Sequence, residues 1–101
     1  MNLLDFVNFS KKLTEEASAL YAEKNRSYAS DEDALGNFSS IATALGLRPE
    51  EVACIFLNKH IQSIYSYFRT GAVTEGMRGR FIDAINYLCV LAAMTEGADG
   101  S

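Results

Sequence analysis

The sequence predicts an all-α fold: a four-helix bundle-like domain whose last two helices form an antiparallel hairpin. Three observations predict it. Apolar residues recur at three- and four-residue steps along four segments, which is the period of one helix face. Gly46, Pro49 and Gly71 fall where helices stop and start. The connection around Gly71 is short, and a short link between helices returns the chain antiparallel.

The chain has 101 residues, of which 49% are hydrophobic and 22% charged. That balance suits one globular domain, expected over residues 1–96, with 97–101 (GADGS) as a flexible tail. A formal net charge of −4 without a basic patch argues against nucleic acid as a partner. The acidic residues form no run of the kind a DNA mimic would need. No apolar stretch approaches the roughly 20 residues of a membrane span, and Asp5 interrupts the apolar N-terminus. Cys54 and Cys89 lack metal-ligand spacing and read as two reduced core thiols. A cytoplasmic setting is the expectation.

The first helix is expected from about Leu3 to about Asn25, with Leu3, Phe6, Phe9, Leu13, Ala17 and Leu20 on its inner face. Lys11 with Glu15 and Lys12 with Glu16 lie four apart on the other side, as solvated pairs. From about Arg26 to Gly36 the period breaks, and Asp31, Glu32 and Asp33 read as turn and cap residues. A short second helix fits Asn37 to Leu45, with Phe38, Ile41, Ala42 and Leu45 inward and Gly46 as its stop.

The third helix has the clearest start. Pro49 lacks the N–H that a first turn would leave unpaired, and Glu50 and Glu51 favour the positive end of the helix dipole. It is expected to reach about Arg69. Cys54, Leu57, Ile61, Ile64 and Phe68 form an unbroken seam, read as its inner face. A second stripe, Val52, Phe56, Lys59, Ser63 and Tyr67, lies on another side. A helix apolar on two sides is normally sandwiched, so Val52, Phe56, Ser63 and Tyr67 are the candidate interface with a second copy. The fourth helix is expected from Thr74, as N-cap, to about Thr95. Its seam is Met77, Phe81, Ala84, Leu88 and Leu91, widened by Ile85 and Ala92. Folding the chain about Gly71–Ala72 sets Cys54 level with Cys89, His60 with Asp83, and Phe56 with Tyr87. Cys89 falls to the flank of its seam, so no disulfide is expected.

Few residues offer chemistry. His60 is the single histidine, and a pair with Asp83 would raise its pKa. No serine or cysteine has the surroundings of an activated nucleophile. A Mg²⁺ site needs several carboxylates three or four apart on one helix face and repeated on a neighbour. After Glu16 that position holds Ala19 or Leu20, and Gly79 stands between Glu75 and Asp83 where a third carboxylate would complete the ladder. No metal and no cofactor are expected. Neither GxxxxGK[ST] nor GxGxxG occurs. Lys59, Arg78 and Arg80 could meet an anionic ligand or form a solvated rim.

Lys24 through Tyr28, Asp33-Ala34-Leu35 with Asn37-Phe38, Asn58-Lys59-His60-Ile61 and Asp83-Ala84-Ile85-Asn86-Tyr87 together resemble a known pattern. It is that of the small helical phage and prophage proteins grouped as a nucleotide-modification-associated domain. These in turn resemble the MazG-type all-α nucleoside triphosphate pyrophosphohydrolases. The resemblance spans about residue 20 to about residue 92 through short motifs. It implies a helical fold, oligomerisation through helix faces, and a nucleotide pocket built on Lys24, Tyr28, Lys59, Asp83, Asn86 and Tyr87, beside which His60 stands. MazG-type enzymes hold Mg²⁺ through paired acidic motifs, of which this chain keeps fragments. The expectation is therefore a non-enzymatic accessory protein, homo-oligomeric, that binds a host protein or a nucleotide-like small molecule, with an anti-defence role conceivable. The alternatives are a divergent Mg²⁺-dependent pyrophosphohydrolase using Asp83, Glu75 and loop acids, and a structural subunit of a larger helical complex.

Overall fold

A computed structural model describes residues 1–28, 33–71 and 76–96, with the side chains of residues 27 and 28 outside the description. The described residues form four α-helices and no strand: α1 (Leu3–Tyr28), α2 (Gly36–Leu45), α3 (Pro49–Thr70) and α4 (Met77–Thr95). No described helix is long and apolar enough to cross a membrane.

Local chemistry sets the helix ends. The Asn2 side chain accepts the Asp5 N–H at 2.8 Å, capping α1, which runs a turn past the expected Asn25. Asp33 does act as a turn residue: its carboxylate accepts the Leu35 N–H at 3.1 Å just before α2, while Asp31 and Glu32 lie outside the described residues. Gly46 and Gly71 sit at φ 70° and 74°, the left-handed conformation that closes α2 and α3. Pro49 opens α3, and the Glu51 carboxylate accepts the Arg48 N–H at 3.0 Å. α4 starts at Met77 with Gly76 in the N-cap position, so it begins later than the expected Thr74, itself outside the described residues.

α3 and α4 form the antiparallel hairpin, α1 lies against α4, and α2 lies against α3. The core is Phe38 and Ala42 from α2, Val52 and Ala53 from α3, and Val90 from α4, with Phe56, Tyr87 and Leu91 packed on it. The hairpin register follows the fold about Gly71–Ala72: the rings of Phe56 and Tyr87 lie 5.8 Å apart, and His60 faces Asp83.

The assignment of faces on α3 is reversed. Val52 is 2% exposed, and Phe56 packs against Phe38 and Tyr87, so this stripe is covered by the chain's own α2 and α4. Ser63 and Tyr67 are half-buried in the same direction. The seam read as inner is open instead: Cys54 is exposed, Ile61 is 47% exposed and Phe68 71%, with Leu57 and Ile64 half-buried. On α4, Ala84 is buried as expected, but Leu88 is 54% exposed and Ala92 is exposed. Leu3, Phe6 and Phe9 on α1 and Leu45 on α2 are exposed too. Both cysteines are free and exposed, not core thiols. Periodicity marks which residues share a face; it does not say whether the same chain covers it.

Candidate functional site

The site begins where α1 crosses α4. Ala17 is fully buried there, and its small side chain lets the helices approach. The Asn86 amide donates to the Ala17 carbonyl at 2.9 Å, a side chain of α4 gripping the backbone of α1. One to two turns along α1 come Tyr21 and Lys24. The Tyr21 hydroxyl donates to the Ala34 carbonyl at 2.8 Å and ties α1 to the turn before α2.

Between these elements opens a cleft of about 220 Å³. Tyr21, Lys24 and Asn25 of α1 line one side, and Asp83, Asn86 and Tyr87 of α4 another. Asn37 and Phe38 of α2 close the end. The walls mix aromatic faces with amide, ammonium and carboxylate groups, a composition that orients a small polar ligand carrying a flat ring.

Asp83 is the electrostatic centre. One of its oxygens lies 3.9 Å from Lys24 Nζ and the other 3.8 Å from His60 Nε2. Both distances exceed a hydrogen bond, so neither partner saturates the carboxylate. His60 stands beneath the cleft, 7% exposed, stacked on Tyr87 with ring centroids 5.4 Å apart. Among the described residues its Nδ1 is buried without a hydrogen-bond partner. The expected rise in its pKa is overturned. Burial disfavours the imidazolium and holds the pKa below the usual 6.5, the attraction of Asp83 offsets only part of this, and Arg80, Lys59 and Lys24 push it lower. Burial, then Asp83 and Tyr21, raises the Tyr87 phenol above its ordinary value. Burial and Asp33 do the same for Tyr21. Both phenols are neutral donors near pH 7.

Of the residues singled out in sequence, Lys24, Asp83, Asn86 and Tyr87 converge on this cleft, with His60 packed behind them. Lys59 is exposed and lies outside the lining, and the Tyr28 side chain lies outside the described residues. Arg78 is committed elsewhere: its guanidinium holds Glu16 at 2.6 Å, so Glu16 pairs with α4 instead of with Lys12. That contact lowers the Glu16 pKa and raises that of Arg78. Tyr21 and Asn25 were missed. Their signal was spacing, since Ala17, Tyr21 and Lys24 advance by four and three along one face. Among the described residues no group of three His, Cys, Asp or Glu is placed to hold a metal ion, and Glu75 is not among those residues.

The fold and cleft define an all-α, bundle-like protein with a small polar–aromatic site at the junction of three helices. No family model, curated protein or solved structure matches the chain.

Proposed function

We propose that the chain is a binding protein rather than a catalyst, and that its ligand is a nucleotide-like small molecule held in the Lys24–Asp83–Tyr87 cleft. The observation that carries this reading is convergence. Segments far apart in sequence bring an ammonium, a carboxylate, three amides and three aromatic rings to one small opening. Lys24, more than half exposed, suits a phosphate at the mouth. The rings of Tyr21, Phe38 and Tyr87 suit the edges and faces of a base. Asp83, with neither oxygen saturated, can accept N–H groups from that base. The volume falls below the roughly 300–1,000 Å³ of drug-sized pockets, which favours one nucleoside unit over a dinucleotide. The resemblance to phage and prophage nucleotide-modification-associated proteins points to the same ligand class and to an accessory role.

Titration calorimetry with nucleosides, nucleoside mono- and triphosphates and cyclic dinucleotides tests the reading. Saturable binding of a mononucleotide, weakened at least about tenfold by Lys24→Ala through loss of a charge-assisted contact, is the expected result. No binding across the panel would sink it. Incubation of triphosphates with Mg²⁺ or Mn²⁺ separates binding from hydrolysis. Pyrophosphate release that disappears in Asp83→Ala would replace the proposal with the pyrophosphohydrolase reading.

A further inference from the structure

We propose that the outer face of the α3–α4 hairpin is the contact surface for a second copy of this chain, the two hairpins meeting face to face as a four-helix bundle around a two-fold axis. The first support is the period. Cys54, Leu57, Ile61, Ile64 and Phe68 step by three, four, three and four, and Met77, Phe81, Ala84, Leu88 and Leu91 by four, three, four and three. That is a 3.5-residue repeat, the spacing of a seam that meets another helical seam rather than of a broad core-facing stripe. Each seam lies one residue on from the covered stripe of its own helix, Phe56-His60 on α3 and Asp83-Tyr87 on α4. In an antiparallel pair that step turns both helices toward the same side. Phe68 and Phe81, with ring centroids 6.4 Å apart, join the two seams near the turn end of the hairpin.

The second support is what the chain leaves uncovered. Ile61 is 47% exposed, Tyr65 63%, Phe68 71% and Leu88 54%. None of the residues on the two seams is charged. A flat apolar face without charge is complementary to itself, as a two-fold interface requires. Meanwhile the chain's own interior is slight. Half of its buried hydrophobic residues are alanines (Ala17, Ala42, Ala53 and Ala84), and Val52 is the largest fully buried side chain. The radius of gyration is 15.3 Å, against about 13 Å for a compact chain of 100 residues.

The third support is area. A hairpin of helices this long offers a face about 30 Å long and about 20 Å wide, so two such faces remove about 1,200 Å² from water. That reaches the lower bound of stable protein interfaces, roughly 1,200–2,000 Å². A short peptide would cover only part of it.

The inference is independent of the ligand reading, because none of these residues lines the cleft. Sedimentation equilibrium at micromolar concentration is the test. The expected mass is twice the 11.1 kDa of one chain, falling to one chain in Ile61→Glu and in Leu88→Glu with helical circular dichroism unchanged. Phe68→Ser is the second variant, since a side chain 71% exposed contributes little to the fold of the single chain; it too should shift the equilibrium toward one chain. A wild-type protein that sediments as a single chain overturns the proposal. So does a dimer that Phe68→Ser leaves unmoved.

Discussion

The two sides of α3 carry similar amounts of apolar surface and meet opposite fates. On one side Val52, Ala53 and Phe56 disappear beneath α2 and α4, and His60 is buried against Tyr87. On the other, Ile61, Tyr65 and Phe68 stay half or more exposed. The difference teaches that hydrophobic content does not decide burial in a chain this short. Position in the hairpin decides it: the side that faces α2 and the α1 crossing is covered, and the side beyond them is not. The covered side also supports the cleft, because Tyr87 is held between Phe56, Phe38 and His60 while its neighbour Asp83 reaches the opening.

The sharpest break of that comparison is a pair of phenylalanines. Phe38 is 4% exposed and touches both Phe56 and Tyr87, with its ring nearly perpendicular to Tyr87 at 6.1 Å. Phe38→Ala should cost about 3–5 kcal/mol in urea unfolding, by lost transfer energy and the cavity left behind. Phe68→Ala should change the stability of the dilute single chain by no more than about 0.5 kcal/mol. Equal losses at the two positions would mean that the two sides are alike.

A middling effect is expected at the α1–α4 crossing. Asn86→Ala removes the donor to the Ala17 carbonyl and leaves that buried region short of a hydrogen bond, at a cost of about 1–3 kcal/mol. Amide exchange of α1 should speed more than that of α3, because α1 packs chiefly on α4.

A smaller effect is the pH dependence set by His60. Its folded pKa lies below 6.5, with burial the leading cause. Below pH 6.5 the unfolded chain therefore binds the proton more readily than the folded one. Stability should fall as pH drops from about 6.5 toward the folded pKa, and this contribution should level off beneath it. His60→Phe, compared with wild type at each pH, should remove that slope. A wild-type stability that rises on acidification through this window, relative to the variant, would show Asp83 outweighing burial.

The smallest change is expected at the surface pair of Arg78 and Glu16. Arg78→Gln should leave the cleft intact and lower thermal stability slightly, with the difference shrinking as salt is added.

The helices were legible in sequence because Pro49, Gly46 and Gly71 act locally, and because a three- and four-residue period needs no partner to be seen. The hairpin register was legible too, since a short link leaves little freedom, and it placed His60 beside Asp83 and Phe56 beside Tyr87. What could not be read was which stripe of α3 faces inward. That depends on where α2 packs, a long-range fact that no local signal on α3 encodes. The cleft was half legible. Lys24, Asp83, Asn86 and Tyr87 stood out by resemblance, whereas Tyr21 looked like one more core residue until its hydroxyl was seen to bond Ala34. The pKa of His60 was misjudged because a charged neighbour is visible in a register argument and desolvation is not.

Native mass spectrometry of the protein purified from the cells that make it tests both sides of α3 together. The account predicts a species of two chains, each chain carrying a removable adduct of nucleotide mass that Lys24→Ala diminishes. A bare single chain, with neither partner nor adduct, would contradict it.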